Sequence, residues 1–143
     1  MKKIIFAALL LAAFSCKKSD NDDDTGTGGT GVAPARDSLF GTYIITAETT
    51  NGQNSWNTTS HAACEMDNSY TLNPNGTAVI SEEGNVCAGG GNVSGAWEIS
   101  GTMFTFNGVP GTVLSFQNSH FVVRKTVSVG GSAVTRVVTY SRI

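Results

Sequence analysis

Across residues 40–142, short runs of apolar and β-branched residues alternate with clusters of Gly, Asn and Ser, and no stretch repeats its apolar residues with a helical period. This punctuation is the strongest constraint on the chain, because a short strand closed by a tight turn is followed by an antiparallel neighbour. Candidate strands are 40–49, 54–59, 69–73, 77–82, 93–99, 103–107, 113–118, 120–129 and 133–142, separated by signals such as Asn73-Pro74-Asn75-Gly76, Ser100-Gly101 and Gly130-Gly131. Residues 59–67 have room for one helical turn. Composition agrees: from Asp37 onward there are 31 Val, Ile and Thr against 3 Leu and 7 Ala. The expected fold is all-β, an antiparallel up-and-down meander of about eight strands. Closure into a barrel is preferred to a sandwich because it removes the edges that Thr- and Val-rich strands would expose. Alternation assigns faces: Phe104 with Phe106, Leu114 with Phe116, and Phe121, Val123, Val127 and Val129 opposite Arg124, Thr126 and Ser128. Trp97 reads as core.

The first 36 residues are of another kind. Lys2 and Lys3 precede an apolar run, residues 4–14, and Ser15-Cys16 follows. Eleven residues at about 1.5 Å each cover roughly half of a bilayer's hydrocarbon core, so the run reads as a cleaved secretory signal over residues 1–15. Ala13-Phe14-Ser15-Cys16 resembles a bacterial lipobox, which implies a lipid on Cys16 and a membrane as partner through that anchor. The acidic run Asp20, Asp22, Asp23, Asp24 is similar to the export signal of surface-displayed lipoproteins of the Bacteroidota, so the expected place is the outer membrane, surface-exposed, with a periplasm-facing location as second choice. Residues 16–36, rich in Gly and Thr toward their end, read as a flexible tether to a domain spanning 37–143. Asp37-Ser38-Leu39 resembles a short O-glycosylation acceptor of the same bacteria, and a plain domain-start turn is the preferred reading of so short a match.

Three cysteines leave an odd thiol in an exported protein; a lipid on Cys16 leaves two, and Cys64 with Cys87 then pair as a disulfide. Zinc is disfavoured, since His61-x-x-Cys64 with Cys87 falls short of a ligand set.

Other chemistry is sparse. Only 14% of residues are charged and the net charge is −2, which leaves no basic surface for nucleic acid. His61 and His120 read as solvated loop histidines, Glu82-Glu83 with Asp67 as solvated carboxylates, and Cys87-Ala88-Gly89-Gly90-Gly91-Asn92, which lacks Lys, as a flexible connection. No cofactor, metal or catalytic residue is indicated, and the expected protein is not an enzyme.

Leu39-Phe40-Gly41-Thr42-Tyr43 resembles the Leu-x-Gly-x-Trp motif that opens lipocalin-like domains, with Tyr43 at the Trp position. Cys64-x-x-Asp67, Tyr70-x-Leu72-x-x-x-Gly76-Thr77, Cys87 and Gly95-x-Trp97 continue the order of a small lipocalin-like lipoprotein family. The resemblance implies a calycin-type barrel and a ligand-binding or surface-module role. The expected function is non-enzymatic binding of a small apolar molecule or a glycan. Phe104, Phe106, Phe116 and Phe121 would line the cavity and Trp56, in a polar segment, its mouth. The alternative is a structural or protein-interaction module whose barrel is filled.

Overall fold

A computed structural model describes residues 33–143. The expectations for the signal segment, Cys16 and most of the tether fall on residues outside those described. The described chain opens with a single 3-10 turn, η1 (Arg36–Leu39), followed by β1 (Gly41–Thr50) and β2 (Gln53–Asn54). A one-turn helix α1 (Ala63–Met66) lies within the stretch expected to hold one. Then come β3 (Ser69–Leu72), β4 (Thr77–Ser81), β5 (Val93–Ser100), β6 (Met103–Phe106), β7 (Val109–Gln117), β8 (His120–Val129) and β9 (Ser132–Arg142). Every neighbouring pair is antiparallel, and β1 also pairs with β9 from Tyr43↔Arg142 to Thr50↔Arg136. Eight strands therefore close into a barrel, and β2 only folds back to pair with the last two residues of β1.

Turn chemistry makes the meander. Asn107-Gly108 and Asn118-Ser119 each take positive φ at both central positions, the twist that joins two-residue hairpins between β6 and β7 and between β7 and β8. Two connections are long, 55–68 and 82–92, and strand direction places both at the same end of the barrel, opposite η1. The Cys64–Cys87 disulfide joins them, with Cα atoms 5.3 Å apart. Carboxylates pin the same loops: Glu82 accepts from the Cys87 amide at 3.2 Å and Glu83 from the Ser69 hydroxyl at 2.9 Å. These two residues are thus structural contacts and not merely solvated charge.

Three expectations need correction. The strand expected at 54–59 shrinks to Gln53–Asn54, because Asn side chains capture the backbone there. Asn54 Oδ1 accepts from the Trp56 amide, and Asn57 Oδ1 from the Thr59 and Ser60 amides, which folds the segment into turns. Leu114 does not share the register of Phe116: a bulge between Val113 and Ser115 flips the parity, so Val113 faces Val123 across the ladder while Phe116 faces Phe121. Val129, assigned to the inner face, is exposed at the far end of β8.

The end bearing η1 is sealed. Leu39 and Tyr43 are fully buried; the Tyr43 hydroxyl donates to the Leu39 carbonyl at 3.0 Å and accepts from Arg142 Nη2 at 2.7 Å. Arg142 also donates to the Ser38 carbonyl and lies over the Tyr43 ring. Arg36 caps Trp97 at 4.9 Å and donates to the Pro74 carbonyl. Tyr43 therefore closes the barrel where the resembling motif carries Trp. Above it, Phe121, Tyr140, Phe104, Tyr70 and Phe106 stack in a chain of ring contacts 4.7–6.4 Å apart. Burial of each large side chain in this core contributes about 1.5–3 kcal/mol.

Replacing Cys64 and Cys87 together by Ala should lower the stability of the domain by about 3 kcal/mol, the loop-closure value for a bridge of this span, as read by chemical denaturation. Thiol titration of the folded, non-reduced domain should find neither cysteine free.

Candidate functional site

At the loop-bearing end the barrel is not filled. Glu48 lies opposite Val138 in the β1–β9 ladder, and Val138 lies opposite Val123 in the β8–β9 ladder. Val123 and Val138 are buried, so this face is the interior, and Glu48 is 3% exposed on it. Two residues further along the same face, Lys125 stands opposite Arg136. A glutamate, a lysine and an arginine thus project inward above the aromatic core.

Glu48 is the hub. Its Oε1 accepts from the Ser55 hydroxyl at 2.9 Å and contacts His61 Nε2 at 3.1 Å, and Oε2 lies 3.7 Å from Arg136 Nη1. Ser55 in turn accepts from Thr50, and its amide donates to the Glu48 carbonyl, which fixes the start of the long loop to β1. His61 Nδ1 lies 3.4 Å from Glu65 on α1, and the Trp56 ring sits 4.8 Å from the imidazole. His61 is consequently a half-buried, doubly engaged side chain, not the solvated histidine that its polar neighbours suggest. His120, at the sealed end, is exposed and bonds Ser141 at 2.7 Å.

These residues border an open cleft of about 340 Å³ whose lining includes Glu48, Trp56, His61, Tyr70, Lys125 and Arg136, with Ile45 and Ile80 as apolar wall. Burial pushes the Lys125 ammonium below its ordinary range, with Glu48 opposing and Arg136 reinforcing the shift. Burial raises the Tyr70 phenol, and the carboxylates of Glu65 and Glu48 add to it. Two lining side chains hold unpartnered buried atoms, Arg136 Nε and Asn68 Oδ1. A second, smaller cavity of about 120 Å³ adjoins at Lys125 and is bordered by Phe104, Phe106, Val123 and Tyr140.

Of the side chains expected to line a site, Trp56 borders the cleft, and Phe104 and Phe106 border the smaller cavity. Phe121 is sealed in the core and Phe116 packs against it, so neither borders these two cavities. Glu48, Lys125 and Arg136 were not singled out by sequence. Lys125 carried a signal, since it alternates in phase with Phe121 and Val123. Glu48 did not, because a bulge between Ile45 and Ala47 breaks the phase of β1. No group of His, Cys, Asp and Glu among the described residues is arranged to hold a metal ion.

A family model described as a lipocalin-like domain matches residues 39–123, more than half of the chain. No curated protein was found to match it.

Glu48→Ala should cost about 3 kcal/mol in denaturant unfolding, the low end for a broken buried pair, because it leaves a partly buried Arg136 without its carboxylate. Lys125→Met should cost nothing or stabilise. The Lys125 pKa is lower folded than unfolded, so its stability contribution is present above the unfolded value and lost as pH falls through the folded one. The parent should therefore gain on the mutant as pH rises through the alkaline window below the ordinary lysine value, which unfolding at two alkaline pH values would read.

Proposed function

Since the chain belongs to the lipocalin-like domain family, we propose that it is a non-enzymatic carrier taking one small molecule at the loop-bearing mouth of its barrel. The observation that carries this reading is the cleft of about 340 Å³, which offers an aromatic and aliphatic wall together with inward charges. Concave, mostly apolar surface with a few convergent polar groups is what a ligand of this size requires. The engagement of both His61 nitrogens by carboxylates supports a positioning role for that histidine over a proton-transfer one. The contiguous aromatic packing below the cleft favours, as second reading, a filled module that recognises another protein through its loops.

Titration with two environment-sensitive probes, anilinonaphthalene sulfonate and the neutral N-phenylnaphthylamine, separates these readings. At least one should bind at a single saturable site and quench Trp56, and a Trp56→Phe variant should lose that quench while Trp97, at the sealed end, keeps its emission. Absence of saturable binding by either probe would favour the interaction module.

Lys2 and Lys3, the short apolar run and the lipobox-like Ser15-Cys16 support a mature chain that begins at lipidated Cys16 and is held at the outer membrane, with the acidic run favouring surface exposure. The Cys64–Cys87 disulfide suits the oxidising compartment that this placement requires. Among the described residues no helix is long and apolar enough to cross a membrane. Mass spectrometry of the native protein should find an acylated N-terminal cysteine, and Cys16→Ala should release the protein from membranes; an unmodified terminus would refute the anchor.

A further inference from the structure

The charge lining the mouth is unbalanced in a particular way. Lys125 and Arg136 stand directly opposite each other on the inner face of β8 and β9, a pairing that like charges disfavour. The carboxylate inside the barrel, Glu48, serves Arg136 at 3.7 Å and commits its other oxygen to Ser55 and His61. Glu65, the other acidic lining residue, is half exposed and is held at the rim by His61 and the Ala62 amide. Lys125 forms no ion pair among the described residues. Glu48 acts on Lys125 only from beyond ion-pair distance, so a largely desolvated ammonium beside a guanidinium has no partner of its own, and an incoming anion would supply one.

Lys125 also has a second neighbourhood. It borders both the charged cleft and the smaller cavity faced by Phe104, Phe106, Val123 and Tyr140. A molecule whose charged head meets Lys125 has apolar surface within reach on the aromatic side and Trp56 and Tyr70 on the other.

We infer that the ligand is a small amphipathic organic anion, a carboxylate or a group of like charge and shape, whose head sits between Lys125 and Arg136 and whose apolar body lies against the barrel's aromatic side chains. This rests on the proposed binding role and names the chemistry of the ligand within it. Arg136 is already partly neutralised by Glu48, so Lys125 carries the discrimination between charged and neutral ligands.

The two probes test it directly, since anilinonaphthalene sulfonate and N-phenylnaphthylamine share their rings and differ in the anionic group. The sulfonate should bind at least about tenfold more tightly than the neutral compound, and Lys125→Met should remove about tenfold of its affinity while leaving the neutral probe's unchanged. Lys125→Arg should keep the preference, and octanoate should displace the sulfonate where octanol at equal concentration does not. A thermal midpoint in Lys125→Met no lower than the parent's excludes loss of fold as the cause. Equal affinity of the parent for both probes, or an equal loss for both in Lys125→Met, would overturn the anionic assignment and leave the binding role standing. Failure of both probes to bind would remove the binding role and this inference with it.

Discussion

The ladder between β1 and β9 joins the first strand of the meander to the last and turns an open sheet into a barrel. The other features of the molecule depend on it. Closure removes two unpaired edges and defines an interior, so that a residue's parity along its strand becomes its exposure to core or to solvent. The same ladder places Glu48 two residues along β1 from Thr50, which pairs with Arg136, bringing together two charges from opposite ends of the domain.

The interior is divided along its length. Toward η1 the volume is occupied by rings in edge and stacked contact, sealed by Leu39, Tyr43 and the Arg142 hydrogen bonds to Tyr43 and the Ser38 carbonyl. Toward the loops the same inward positions carry Glu48, Lys125 and Arg136. Charges inside a barrel oppose folding unless they are paired, and the strong core below, together with the disulfide over the mouth, offsets that cost. Apolar packing is concentrated at one end and inward charge at the other.

Much of the architecture was legible in the chain because turn chemistry is local. Asn-Pro-Asn-Gly, Ser-Gly and Gly-Gly carry their backbone preferences wherever they occur, and Cys64 and Cys87 had no other partner in the domain. The candidate site was legible only in part. Trp56 stood out as an aromatic in a polar loop, whereas His61, in the same loop, is engaged by the buried Glu48 across from it in a contact that its sequence neighbours do not signal. Over residues 54–59, a candidate strand by sequence, the asparagine side chains took the backbone amides that a ladder would have used.

By itself the sequence determined the all-β class, the order of the strands, the pairing of the cysteines and the aromatic supply of the core, since each follows from a preference expressed within a few residues. Only the tertiary structure decided which side chains face inward at the mouth. A one-residue bulge in β1 and another in β7 each reverse the alternation for the rest of their strand, and such bulges bend and twist a strand as barrel closure requires. That is why Phe116 comes to pack against the buried Phe121 and why Glu48 faces inward to meet Arg136, far away in the chain: parity is a local property, but its origin is set by closure.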